Sequence, residues 1–120
     1  MKKIIVVDDS AVLRTTMQNA LNSAGYEVIG AVPGSAGLFE MLTKGIVPDL
    51  LLLDMFFPDE DGLEILKKVK ELHPKLKVLV ITAMNRPALN KEIREAGGED
   101  ILHKPFDLDD LITAIQRFSW

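Results

Sequence analysis

The sequence predicts an α/β fold in which a parallel sheet lies between two layers of helices. Two observations support this prediction. Short apolar runs recur about every 22 to 28 residues, and the segments between them carry apolar residues at helical spacing. Alternation of strands and helices indicates parallel strands with helices on both faces. With 120 residues, 48% of them hydrophobic, the chain is long enough for one domain with a substantial core and too short for two.

Four apolar runs, and a shorter fifth, are predicted to be strands. The runs are continuous rather than alternating, which is typical of strands that are covered on both faces. They are too short for helices and are bounded by Asp, Gly or Pro. The predicted strands are Ile4–Val7, Val28–Val32, Leu50–Leu53, Val78–Ile81 and Ile101–Leu102.

Each predicted strand is followed by a predicted helix, whose apolar residues recur at steps of three and four. The five apolar stripes contain Leu13, Met17, Ala20, Leu21 and Ala24; Leu38, Phe39 and Leu42; Leu66, Val69 and Leu72; Leu89, Ile93 and Ala96; and Leu108, Leu111, Ile112, Ile115 and Phe118.

Residues that favour helix ends flank these stripes. Asp61 and Asp107 are predicted to cap the third and fifth helices, and Glu64 lies at the capping-box distance from Asp61. Pro87 suits the first turn of the fourth helix. Glycine or proline is predicted to end the first four helices, at Gly25, Gly45, Pro74 and Gly97–Gly98.

Composition excludes several classes of function. There is no cysteine, so disulfides, zinc–thiolate sites, iron–sulfur clusters and thiol nucleophiles are excluded, and two histidines cannot form a three-histidine metal site. A net charge of -4 argues against direct nucleic-acid binding. No apolar run approaches the roughly 20 residues of a membrane helix. The start of the chain does not lead into a signal peptide. A cytoplasmic domain is therefore expected.

Polar residues that could bind a ligand or take part in a reaction follow the predicted strands. Asp8 and Asp9 follow the first strand, Asp54 the third, Thr82 the fourth and Lys104 the fifth. Ligands of parallel α/β sheets bind beyond the carboxyl ends of the strands. Converging carboxylates repel one another, and an Mg²⁺ ion relieves that conflict. With a lysine and a hydroxyl, this set suits phosphoryl transfer. The alternative interpretation is that the acidic residues are helix caps and surface charge.

Four motifs carry a resemblance to a known family: Val6–Ser10, Leu52–Gly62, Ile81–Ala83 and Lys104–Phe106. In this order and spacing, the chain resembles the receiver domain of two-component response regulators from end to end. The resemblance implies a single receiver domain over residues 1–120. It also implies a flavodoxin-like, three-layer (βα)5 fold with strand order 2-1-3-4-5.

The resemblance also implies a role for each site residue. Asp54 is similar to the phosphoacceptor that takes a phosphoryl group from a histidine kinase or a histidine phosphotransfer protein. Asp9 resembles a direct Mg²⁺ ligand and Asp8 a ligand acting mainly through water; Asp54 and the backbone carbonyl of Phe56 complete the metal set. Thr82 resembles the switch hydroxyl and Lys104 the lysine that pairs with a phosphoryl oxygen.

Further expectations follow from the same resemblance. The Lys104–Pro105 bond is similar to one that is cis in the family. The chain is expected to act as a switch for a downstream effector rather than as a turnover enzyme, without membrane or direct nucleic-acid contact. A homodimer through helix 4, strand 5 and helix 5 is a further family analogy.

The sequence departs from the family pattern at four positions. Phe57 replaces the usual methionine before the proline, which is interpreted as a core substitution. Phe56 and Met84 place bulky apolar side chains on the rim of the site, where many receivers have polar groups. We expect them to impede an attacking water and to slow loss of the phosphoryl group, although they could merely pack on each other. Ile101 replaces a common aromatic, so either that switching step is absent or a partner reads another surface.

Other classes of protein with a parallel α/β sheet would need different residues at these positions. A haloacid-dehalogenase phosphatase would need Asp-x-Asp after strand 1 and usually a cap domain. A flavodoxin would need a Ser/Thr/Gly-rich phosphate loop where this chain has two carboxylates. A pseudo-receiver that acts only as a docking module is the main alternative.

Three surface features carry local predictions. A basic run, formed by Lys67, Lys68, Lys70, Lys75 and Lys77, is interpreted as a solvated helix face. His103 is interpreted as a loop residue. The fourth helix has few large apolar residues, which predicts that it is loosely attached.

Overall fold

The computed structural model describes residues 2–118 and residue 120, and within them strands and helices alternate as predicted. The strands are β1 (Lys3–Val7), β2 (Glu27–Val32), β3 (Leu50–Asp54), β4 (Lys77–Thr82) and β5 (Asp100–His103). The helices are α1 (Ala11–Ser23), α2 (Ser35–Thr43), α3 (Gly62–Leu72), α4 (Pro87–Glu95) and α5 (Leu108–Gln116). Every predicted element is present, with ends that differ by a few residues.

The five strands form one parallel sheet in the order β2-β1-β3-β4-β5. This confirms the strand order that the resemblance implied. The chain first adds β2 on one side of β1 and then crosses to the other side to add β3, so β1 and β3 are central neighbours. Their carboxyl ends therefore open at the same edge of the sheet, where ligands of this architecture bind.

Alternate residues of the central strands point into two separate cores. One core joins Ile5, Val7, Leu51 and Leu53 to residues of α2, α3 and α4. The other joins the intervening residues, among them Val6 and Leu52, to α1 and α5. Because both faces are covered, the continuous apolar runs of β1, β3 and β4 are buried almost completely.

The edge strands differ from the prediction of full burial. Most residues of β2 and all of β5 are only half-buried, because each of these strands has a neighbour on one side alone. Phe118 also lies beyond the end of α5 rather than within it, although it still packs on the core. In the fourth helix, α4, Ile93 is the one buried residue and Leu89 is partly buried, while the loose attachment expected of this helix stays a prediction.

Helix ends confirm some capping predictions and correct one. Asp107 caps α5 and forms a reciprocal capping box with Asp110. Asp61 caps α3 by accepting the Leu63 N–H at 3.0 Å, but the expected box is absent, since Glu64 pairs with Lys67 instead. Gly25, Gly45 and Gly97 take the left-handed conformation beyond their helices, as the stop signals predicted.

The solvated interpretation of the basic run is wrong for Lys70. Its side chain is 14% exposed, donates to the Leu76 carbonyl at 2.5 Å and pairs with Glu99. Glu99 also accepts the Val78 N–H at 2.6 Å. Lys70 therefore links α3 to the starts of β4 and β5, whereas Lys67 is exposed as predicted.

Among the helices of residues 2–118, none has the length and apolar character needed to span a membrane.

Candidate phosphoryl-transfer site

Three carboxylates meet at the carboxyl edge of the central strands. Asp8 directly follows β1, and Asp54 is the last residue of β3; the preceding residues, Val7 and Leu53, are paired in register. Asp8, Asp9 and Asp54 can each offer an oxygen within 4.8 Å of the others. Asp8 and Asp54 are buried, whereas Asp9 is exposed. The predicted convergence is therefore confirmed, with its open side at Asp9.

Asp8 is held by contacts on both its side chain and its backbone. Its Oδ1 accepts the Ser10 N–H at 2.8 Å, and its carbonyl accepts from Arg14 Nη1 at 2.6 Å. Ser10 also caps α1 by accepting the Leu13 N–H. Sequence reasoning missed Ser10 as a cap and Arg14 as a support of Asp8. A serine before the first helical stripe was the available signal for Ser10, but no local pattern distinguishes Arg14 from a surface arginine.

Lys104 supplies a positive charge to this acidic cluster. Its Nζ lies 3.4 Å from Asp8 Oδ2 and 3.5 Å from Asp54 Oδ1, and its side chain is 27% exposed. The loop that carries it is anchored, because the Lys104 N–H donates to the Thr82 carbonyl at 2.8 Å. The Lys104–Pro105 bond is cis, as the resemblance implied.

Thr82 lies at the end of β4, beside the end of β3. It is completely buried, and its Oγ1 accepts the Met84 N–H at 3.1 Å. Asp54 is paired in register with Ile81, the residue before Thr82. The structure thus brings Thr82 to the edge that carries the carboxylates.

Burial raises the pKa of the Asp54 carboxyl above its ordinary value, and the neighbouring charge of Asp8 raises that pKa further. Lys104 and the Phe56 N–H, which lies 3.5 Å from Asp54 Oδ1, lower the pKa but do not cancel the rise. Asp54 is therefore a carboxylate whose negative charge is poorly stabilised. Bringing a cation or an electrophile to this position would stabilise it.

Comparison with known proteins identifies the family. The sequence profile of the response regulator receiver domain matches residues 4–116. The chain belongs to this family. Receiver domains are phosphoacceptor switches of two-component systems, and they act between histidine kinases or phosphotransfer proteins and downstream effectors. The match decides against the phosphatase and flavodoxin alternatives.

Individual relatives support the same assignment. This receiver is 30% identical to the chemotaxis protein CheY of Thermotoga maritima, over 98% of both chains. It is 35% identical to sporulation initiation phosphotransferase F of Bacillus subtilis, over 98% of this chain and 93% of that protein. The crystal structure of chemotaxis protein CheY4 of Vibrio cholerae superposes with a TM-score of 0.86 at 29% identity, over 98% of both chains.

The departures from the family pattern occupy different environments in this receiver. Phe56 and Met84 are 44% and 37% exposed, so both present apolar surface at the rim of the site. Phe57 and Ile101 are partly buried against the core formed with α2, α3 and α4. Phe57 is thus at the margin of the core rather than within it.

The interpretation of His103 as a loop residue is wrong, since it is the last residue of β5. It pairs in register with Thr82, and its Nε2 lies 3.4 Å from Asn90 Oδ1 of α4. Its position in the strand follows from the pairing of β5 with β4, which a two-residue apolar run does not reveal.

Proposed function

We propose that Asp54 of this receiver accepts a phosphoryl group from a phosphohistidine of a sensor kinase or a phosphotransfer protein. The observation that carries the proposal is the meeting of three carboxylates with Lys104, which lies within 3.5 Å of two of them. Residues 1–120 act as one receiver unit, located in the cytoplasm. The unit is a switch rather than a turnover enzyme.

The donor set fits Mg²⁺. Two buried carboxylates and one exposed carboxylate share a small volume, and Mg²⁺ prefers oxygen ligands, with water and phosphate oxygens completing its shell. Asp8, Asp9 and Asp54 would hold the ion with the backbone carbonyl of Phe56. When bound, Mg²⁺ supplies positive charge to the oxygens of the phosphoryl group during transfer.

Asp54, Lys104 and Thr82 have different roles in the transfer. Among the described residues, both contacts of Asp54 fall on Oδ1, which leaves Oδ2 to bond to phosphorus. As this bond forms, the phosphorus–nitrogen bond of the donor breaks, and an acyl phosphate of Asp54 results. The Lys104 ammonium neutralises charge on one phosphoryl oxygen, and the Thr82 hydroxyl donates a hydrogen bond to another.

Signalling follows from a change in the groups that Lys104 contacts in the site. Once Asp54 is phosphorylated, Lys104 has a phosphoryl oxygen to bind in place of two carboxylates. The Lys104 N–H already bonds the Thr82 carbonyl, so both residues respond to the same event. A shift of β4, β5 and α4 would then change the surface that a downstream effector or a second copy of the chain contacts.

The exposed apolar rim predicts slow loss of the phosphoryl group. Phe56 and Met84 limit the approach of water in line with the acyl phosphate, because neither side chain can hydrogen-bond an attacking water. Replacing both residues with asparagine should shorten the half-life of the acyl phosphate several-fold, measured as decay of the phosphorylated mass. A half-life of only seconds in the natural chain would contradict this reasoning.

Intact-mass spectrometry tests the function directly. Incubation with acetyl phosphate and Mg²⁺ should add one phosphoryl group, and the addition should disappear with EDTA or in Asp54→Asn. Beryllium fluoride, a phosphoryl mimic, should raise the melting temperature in the presence of Mg²⁺ in the natural chain alone. If neither acetyl phosphate nor beryllium fluoride has an effect, the chain is a docking module and the proposal is wrong.

A further inference from the structure

The loop between β3 and α3 is tied to the start of α2 by Glu60. Glu60 Oε2 accepts the Ser35 N–H at 3.1 Å, and Oε1 accepts the Ser35 hydroxyl. Ser35 is the first residue of α2, and the preceding residue, Gly34, provides no side-chain cap. A carboxylate from a loop 25 residues away therefore takes the place of a local cap, in the position that a helix N-terminus favours for negative charge.

The backbone of α2 leaves room for this carboxylate. A Cβ atom on Gly34 would lie 2.7 Å from Glu60 Oε2, so a larger residue at position 34 would displace the carboxylate. The same surface groove is lined by Gly34, Ser35, Glu60 and Asp9. The Glu60–Ser35 contact thus lies beside the metal-binding edge of the site rather than at a remote surface.

The loop connects the Glu60–Ser35 contact to Phe56. Phe56 pairs with Asp61 in an isolated antiparallel bridge, so the residue next to Glu60 is bonded across the loop to Phe56. The far end is closed by Gly62, where a Cβ would lie 2.1 Å from the Met55 carbonyl oxygen. These contacts close the loop on itself between Phe56 and Gly62, and the Glu60 carboxylate ties the closed loop to the start of α2.

We propose that Glu60 is a positioning residue for the metal site of this receiver. It is not a ligand; by binding Ser35 it holds the loop that carries Phe56, whose N–H lies 3.5 Å from Asp54 Oδ1 and whose carbonyl the proposed function assigns to the metal. The inference rests on the proposed function, and it extends that function to a residue outside the predicted site. Groups that hydrogen-bond metal ligands directly typically change metal affinity by about 10- to 100-fold, and the less direct contact of Glu60 is expected at the lower end of that range.

Calorimetric titration with Mg²⁺ tests the inference without phosphorylation. Glu60→Gln should weaken Mg²⁺ binding about 10-fold, because an NH₂ group that accepts no hydrogen bond replaces one of the two oxygens that now accept from Ser35. Ser35→Ala, which removes one donor without changing charge, should weaken binding by a smaller factor in the same direction. Asp59→Asn is the matched control: it removes one exposed negative charge from the same loop, and it should change the affinity less than twofold.

The outcomes of the titration distinguish the positioning role of Glu60 from the proposed metal site itself. Weaker binding in Glu60→Gln and Ser35→Ala, with Asp59→Asn unchanged, supports the positioning role. Equal weakening in Glu60→Gln and Asp59→Asn would show a general effect of charge and overturn the role. Unchanged affinity in Glu60→Gln would overturn it as well. Absence of Mg²⁺ binding in the natural chain would instead overturn the proposed metal site, and the inference with it. Titration well below the melting temperature of the least stable variant keeps all chains folded.

Discussion

Replacing Asp54 with asparagine should stabilise the fold in the absence of divalent metal. Asp54 is buried beside Asp8 and within 4.8 Å of both other carboxylates of the cluster, while Lys104 lies 3.5 Å away. At an effective dielectric constant of about 20, each repulsion costs about 3.5 kcal/mol and the attraction to Lys104 contributes about 4.7 kcal/mol. The net repulsion is about 2 kcal/mol. Solvent on the open side at Asp9 reduces it, so we expect the substitution to add about 1–2 kcal/mol of stability.

The stability gained by Asp54→Asn depends on pH. The pKa of Asp54 is raised in the folded chain relative to its ordinary value, which is about 3.9 in unfolded chains. Above the folded pKa the carboxylate is charged in both states, and the folded state carries the full repulsion. Below about pH 3.9 the group is protonated in both states, and the repulsion disappears. The advantage of Asp54→Asn should therefore be largest at neutral pH and shrink as the pH falls.

Thermal unfolding followed by circular dichroism measures this effect. In EDTA at pH 7, Asp54→Asn should raise the melting temperature by about 3–8 °C. The difference should shrink at pH 4.5, and Mg²⁺ should reduce it at pH 7 by stabilising the natural chain. Asp59→Asn, at an exposed position of the same loop, should change stability by less than about 0.5 kcal/mol. A lower melting temperature for Asp54→Asn, or a difference independent of pH and Mg²⁺, would refute the argument.

Three further substitutions, two of them with a control substitution, test other contacts by thermal or urea unfolding. Gly62→Ala should destabilise the fold by about 2–3 kcal/mol, because its Cβ would overlap a backbone oxygen. Gly25→Ala is the control: its Cβ meets no neighbouring atom, so it should cost only about 1 kcal/mol of backbone strain. Equal costs for the two substitutions would disprove the steric argument. Lys70→Ala should cost about 1–3 kcal/mol and Lys67→Ala less than about 0.5 kcal/mol, so similar values would mean that Lys70 is only a surface charge. Lys104→Met should cost about 2 kcal/mol in EDTA by leaving two buried carboxylates without their cation, a prediction that unchanged stability would contradict.

The central part of the fold was predictable from the sequence because its signals are local. Ile4–Val7 and Leu50–Leu53 are continuous apolar runs, and such runs need cover on both faces wherever they pair. Asp107 could be identified as a cap from its own position before an apolar stripe. The strand order, however, came from the resemblance to receivers, since apolar runs do not specify which neighbours pair.

The candidate site was predictable for a topological reason. In a parallel sheet all strands end at one edge, so residues that end a strand or directly follow it meet there whatever their separation in sequence. Asp8, Asp54, Thr82 and Lys104 satisfy this rule. His103 also lies at this edge as the last residue of β5, but the run of only two apolar residues before it indicated too short a strand, so it was interpreted as a loop residue.

The sequence by itself determined the order of strands and helices, the buried apolar runs of the central strands and the residue types at the carboxyl edge of the sheet. The reason is that apolar periodicity and the signals for helix ends act within a few residues. Tertiary structure alone decided the contacts of Arg14, Glu60 and Lys70, each of which bonds a group outside its own helix or loop. It also decided the raised pKa of Asp54, which depends on burial and on distances to other charges. These properties arise from separations in space, and no local pattern of residues encodes them.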